Sequence, residues 1–239
     1  MSAQATIPNS HELGTLLRGE PDALGQWAAQ FESRRFAFHV AVIIAGAGAY
    51  GAAMGWWRDP MQALYVGIKF PLVILLTTLG NALLNAMLAP LLGLNITFRQ
   101  SLLAVLMSFA ITSAILGAFS PLMAFMVWNA PPMTPDVKST SAYALIKLAH
   151  VVMIAFAGIA GNARLFQLLT QLGGSQRVAR RVLVAWLTVN LFLGSQLTWI
   201  ARPFIGAPQL RVVFLREGAL HGNFYENIFQ TLTGLLEPD

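Results

Sequence analysis

Apolar residues in this chain gather in blocks of roughly 20, about the length a helix needs to cross the hydrocarbon core of a bilayer. The blocks predict five spans, at 38–57, 66–92, 100–128, 142–162 and 182–201. Pro71 and Pro90 flank the second span, and Pro121 marks a place where the long third span tilts or breaks. Polar stretches punctuate the blocks. Residues 1–36 hold Glu12, Glu20, Asp22 and Glu32 and read as a cytoplasmic segment with short amphipathic turns. "NAPPMTPDVKSTS" reads as a loop, and "NARLFQLLTQLGGSQRVARR" as a basic connection between the last two spans. In the tail, 203–239, "QLRVVFL" is strand-like or extended. Beyond it Phe224, Ile228, Leu232 and Leu235 form an apolar helical stripe that lies in the interface or packs on the helix ends.

The expected fold is therefore all-α: a polytopic transmembrane bundle over 37–202, with an amphipathic N-terminal segment and an extracytoplasmic C-terminal tail. Composition agrees with this class. Of 239 residues 56% are hydrophobic and 10% charged, too few charges to cover a water-facing surface. The net charge of +5 suggests nucleic acid only until the basic residues are placed, because they scatter between apolar blocks without interleaved aromatics. Membrane topology accounts for them. With the N-terminus inside, the cytoplasmic segments hold eight cations (Arg18, Arg34, Arg35, Arg99, Arg164, Arg177, Arg180, Arg181), while the outer segments hold five (Arg58, Lys138, Arg202, Arg211, Arg216). Lys69 and Lys147 sit near span ends and are left out of the count.

Candidate chemistry is sparse. The chain has no cysteine, which excludes disulfides and thiolate catalysis. No predicted span contains Asp or Glu, which argues against a carboxylate proton relay. His11, His39, His150 and His221 form no metal-binding motif, Ser195 lacks the glycines of a hydrolase elbow, and Gly46, Gly48 and Gly51 lie inside a span rather than after a strand. No catalytic residue, metal or cofactor is expected. "NIT" at Asn95 fits a glycosylation sequon but falls on the cytoplasmic side.

Polar residues within the spans are the remaining candidates. Thr78, Asn81 and Asn85 share one helical face, suited either to interhelical hydrogen bonding or to lining a polar path. Asn190, Ser195 and Gln196 supply polar groups on the fifth span. Lys147 and His150 lie one turn apart on the fourth, the lysine near enough to the end to snorkel. Ala47, Gly51 and Gly55 form a small-residue series for close helix packing. Trp56, Trp57 and Trp199 suit the membrane interface, and Arg202 stands where lipid phosphates reside. Pro203 encourages the fifth helix to end there. Arg202 lies on the face that the positive-inside pattern disfavours, so it should have a specific partner: a lipid phosphate, Glu217 or Asp136.

The layout of a polar N-terminal tail, five spans, a short loop leading into "TFRQSLLAVLMSFAITSAILG" and a basic stretch before the last span resembles the Yip1-like membrane proteins over about 36–201. That resemblance implies a non-enzymatic membrane scaffold, in some members tied to trafficking or membrane shaping. The tail after Arg202 departs from it. The expected role is association with lipid, with anionic headgroups, with a second copy or with partner subunits. A small-solute channel or transporter, lined by the second and fifth spans, is the alternative.

Overall fold

The computed structural model describes residues 33–133, 141–206 and 210–236; the predicted N-terminal amphipathic turns and Asp136 lie outside the described residues. It forms six helices among these: α1 (Ser33–Trp56), α2 (Pro60–Leu91), α3 (Phe98–Trp128), α4 (Ser141–Gly173), α5 (Gln176–Ile200) and α6 (Phe224–Leu236). The first five are long and apolar enough to cross a membrane.

Local chemistry sets the boundaries. Asp59 caps α2 by accepting from the Met61 N–H at 2.7 Å, with Pro60 in the first helical position. Thr97 and Gln100 form a reciprocal capping box at the start of α3. Helix α3 runs unbroken through Pro121, so of the two expectations, a tilt or a break, the break does not occur. The Ser120 hydroxyl donates to the Gly117 carbonyl at 2.7 Å, the group that Pro121 leaves without a backbone donor.

The predicted basic loop is the largest correction. Helix α4 continues to Gly173 and α5 begins at Gln176, so the connection is a tight turn with Gly174 at positive φ and Ser175 as cap. Leu165, Leu168 and Leu169 are buried with Ala179, Val182 and Trp186 in one core, and this apolar seam is what extends both helices beyond the length of the bilayer core. Arg177, Arg180 and Arg181 therefore lie on the first turns of a helix. The "QLRVVFL" segment is not a strand either; its described residues are irregular coil.

Helix α1 packs between α2 and α3, and glycine makes this possible. A Cβ on Gly51 would stand 2.7 Å from the Val66 carbonyl oxygen of α2, and one on Gly55 2.5 Å from that of Gln62. On the other side Gly46 lies against the Ser113 backbone of α3, and Ala47 is fully buried. The outside of the bundle is apolar instead: Leu64, Ile68, Leu72, Leu76, Leu79, Leu83 and Met87 form an exposed stripe along α2. This arrangement suits a helix bundle solvated by lipid tails. Gly55→Val should lower the thermal stability of the detergent-solubilised protein by about 1–3 kcal/mol, as overpacking against backbone does. Gly158→Ala, where a Cβ meets nothing within 4 Å, should leave it unchanged in the same melt.

Candidate functional site

The end of the bundle that carries the α1–α2 and α3–α4 connections is closed by the segment after α5. Lys69, on the third turn of α2, is almost completely buried at 1% exposure. Its ammonium donates to the Pro203 carbonyl at 2.5 Å and to the Phe214 carbonyl at 2.8 Å, and lies over the Phe204 and Phe214 rings. No spanning helix carries an acid, so carbonyl dipoles and aromatic faces do the neutralising. Two turns earlier, buried Gln62 donates to the carbonyls of Pro203 (3.0 Å) and Phe204 (2.5 Å). Arg58 adds a bond to the Leu210 carbonyl at 2.7 Å. Two side chains on α2 and one from the connection just before it thus dock the returning chain through its backbone.

Docking creates a cationic cavity. Arg58, Arg202, Arg211 and Arg216 line a space of about 570 Å³ whose wall holds one acid, Glu217. Arg202 follows the α5 cap Ala201, donates through Nε to the Trp199 carbonyl at 3.0 Å and stacks on the Trp199 indole; Arg216 lies over the same ring at 5.0 Å. Arg202 Nη2 and Arg216 Nε are buried and have no protein partner. The guanidinium of Arg202 is held below its ordinary basicity, by desolvation first and by the Arg216 charge second. Two crowded cations with donors left over have the chemistry that an anion would satisfy.

Arg202 and Phe204 also line a second space, an apolar groove of about 540 Å³ between α2 and α5, walled by Val73, Ile74, Leu191 and Trp199 among others. Helix α6 flanks it. The Gln196 side-chain carbonyl accepts from the Phe224 N–H at 3.0 Å, the Ser195 and Tyr225 hydroxyls bond at 2.7 Å, and Tyr225 stacks on Phe192. Phe224 meets this anchored surface while Ile228 is 44% exposed, so the tail helix packs on α5 at its start and keeps an apolar residue outward.

The other sequence candidates fall in separate places. Trp56 is exposed, whereas Trp57 turns inward, 7% exposed, and donates to the Pro131 carbonyl at 3.1 Å; it anchors a connection instead of floating in the interface. His150 is buried and bonds through Nδ1 to the Tyr50 hydroxyl at 2.8 Å, an interhelical pair between α1 and α4, while Lys147 points outward. Thr78 bonds within its own helix to the Ile74 carbonyl. Asn81 donates to Asn190 Oδ1 at 2.8 Å, but its own Oδ1 and both amide atoms of Asn85 have no partner. These two asparagines border a cavity of about 200 Å³, distinct from the arginine cavity. Each buried orphan group costs roughly 1–3 kcal/mol unless something occupies that space.

Sequence reasoning missed Lys69 and Gln62. Lys69 reads as a charge near a span end, yet a lysine inside a span without a carboxylate is itself the signal. Arg216 and Trp186 were also missed, because nothing local sets them apart.

Comparison of the chain with protein-family models, with curated proteins and with solved structures finds no match. Geometry alone therefore bears on function. Lys69→Met should free the docked segment, costing about 2–3 kcal/mol for a buried charge-assisted pair of bonds. Trypsin should then cleave at Arg211 and Arg216 faster than in the native protein, in a time course read by mass spectrometry.

Proposed function

We propose that this multi-pass membrane protein binds an anionic phospholipid, without catalysis, at the end of the bundle closed by the segment after α5. The observation that supports it is Arg202, which lines the arginine cavity and the apolar groove alike. A headgroup phosphate meets the unpartnered guanidinium donors of Arg202 and Arg216. An acyl chain lies along the groove between α2 and α5. The two volumes, each a little over 500 Å³, are within the usual range of small-molecule sites, and the cation-to-apolar order matches the chemistry of one molecule.

Sidedness follows the distribution of charge. Arg34, Arg35, Arg99, Arg177, Arg180 and Arg181 crowd the opposite end of the bundle, which takes the cytoplasmic side. The phospholipid then comes from the outer leaflet, and the arginines there serve recognition where topology disfavours them. A non-enzymatic role agrees with the Yip1-like resemblance of the span layout. Association with a second copy or a partner subunit adds to this reading through the exposed apolar side of α6.

Native mass spectrometry of the full-length protein in detergent tests the assignment, with phosphatidylglycerol and phosphatidylcholine as probes. The protein should retain phosphatidylglycerol preferentially. Arg202→Gln with Arg216→Gln should weaken that binding at least about tenfold, the equivalent of about 1.4 kcal/mol, and remove the preference over phosphatidylcholine. Arg177→Gln at the other end should change neither. Equal phosphatidylglycerol binding by the double variant contradicts the proposal.

A further inference from the structure

The asparagine pocket lies deeper in the bundle, where α2, α3, α4 and α5 meet. Asn81, Asn85 and Trp186 are each 1–2% exposed and belong to its wall. Four of their polar atoms lack any protein partner: the Asn81 and Asn85 carbonyl oxygens, the Asn85 amide nitrogen and the Trp186 indole nitrogen. The bond from Asn81 to Asn190 fixes the Asn81 amide so that its remaining oxygen stays unbonded. The set holds two donors and two acceptors, and the pocket lining includes no charged residue. Such a wall matches a hydroxyl group, which donates and accepts at once, and would leave an ion without a counter-charge.

The route of entry selects between sources of that hydroxyl. Ile154 on α4 and Leu187 on α5 line the pocket and are each more than a third exposed, on the outer surface of helices long enough to span the bilayer. The cause of this opening is visible in the packing. Near their shared turn α4 and α5 are sealed by Leu165, Leu169 and Val182, but toward its C-terminal end α5 turns to α2, with Leu193 against Gly80 and Gly194 against Thr77. The two helices of the hairpin part, and the gap between them opens on the outside of the bundle. At its other side the pocket shares Phe109 and Asn190 with the apolar groove.

We infer that this pocket is a second binding site, independent of the arginine cavity, for the uncharged hydroxyl-bearing head of a membrane-soluble molecule, of which a diacylglycerol is the simplest representative. About 200 Å³ accommodates a glycerol-sized head, with the acyl chains leaving between α4 and α5. Gly158 stands on the α4 wall, and a Cβ there meets nothing within 4 Å, so a side chain at this position starts in open space and fills the pocket as it lengthens.

The test is native mass spectrometry of the full-length protein with dioleoylglycerol, with free glycerol as the water-soluble arm. The native protein should bind dioleoylglycerol, and Gly158→Leu and Asn85→Leu should each weaken it at least about tenfold. Binding should also shift the part of the tryptophan emission that Trp186→Phe removes. Arg202→Gln with Arg216→Gln should leave dioleoylglycerol binding intact, which separates this site from the phospholipid site. Phosphatidylglycerol binding retained by Gly158→Leu shows that the variant is folded; if it is lost, Asn85→Leu and the Trp186 emission decide. Absence of dioleoylglycerol binding, binding of glycerol alone, or equal binding by both pocket variants overturns the inference and leaves a pocket that holds water.

Discussion

A lysine ammonium buried inside a spanning helix, with no carboxylate in any such helix to meet it, is the constraint around which one end of this protein is organised. Lys69 is satisfied by the carbonyls of Pro203 and Phe214 and by two aromatic faces. The bonds go to backbone, so they fix the path of the chain after α5 whatever its side chains are. Gln62 on α2 and Arg58 in the turn before it extend the anchor. A segment that would otherwise have left the membrane as a tail returns to cap the bundle.

The rest of the site follows from that return. Once Pro203 and Phe214 are held, Arg202 and Arg216 converge on the Trp199 indole, and their charges crowd together over a ring that cannot neutralise them fully. Glu217, the acid nearest in sequence, lines the same cavity and is exposed, yet Arg202 bonds to a backbone carbonyl and an aromatic ring instead of to it. The cavity keeps a positive excess beside an apolar groove. That juxtaposition, and no single residue, suits the arrangement to an amphiphile.

Much of the fold was legible because the bilayer imposes one length and one pattern on every span. The five blocks correspond to α1–α5, and of the small-residue series Gly51 and Gly55 face α2, while Ala47 is buried. Boundaries were less legible. The stretch 163–181 looked like a loop because it is polar and basic, but its leucines at 165, 168 and 169 recur at helical spacing, and the true breaker is the Gly173–Gly174 pair. Pro121 leaves α3 unbroken where a serine one residue earlier bonds the carbonyl it frees, an effect that hydropathy does not register. For the candidate site, Arg202 and Trp199 stood out as a pair at a helix end, and the asparagines as a polar face. The partners did not. Arg216 reaches Trp199 across a coil segment whose path depends on Lys69, and Asn190 meets Asn81 only because α5 leaves α4 to lean on α2. Contacts of that kind are set by tertiary packing and carry no local signature.

The most direct measurement of the central claim is an experimental structure of the full chain in nanodiscs that contain phosphatidylglycerol. The account predicts the segment after α5 seated on Lys69, a headgroup phosphate bonded to the guanidinium groups of Arg202 and Arg216, and an acyl chain in the groove between α2 and α5. A seated segment with no phosphate in the arginine cavity, the Glu217 carboxylate having turned in to pair with those arginines, would contradict it.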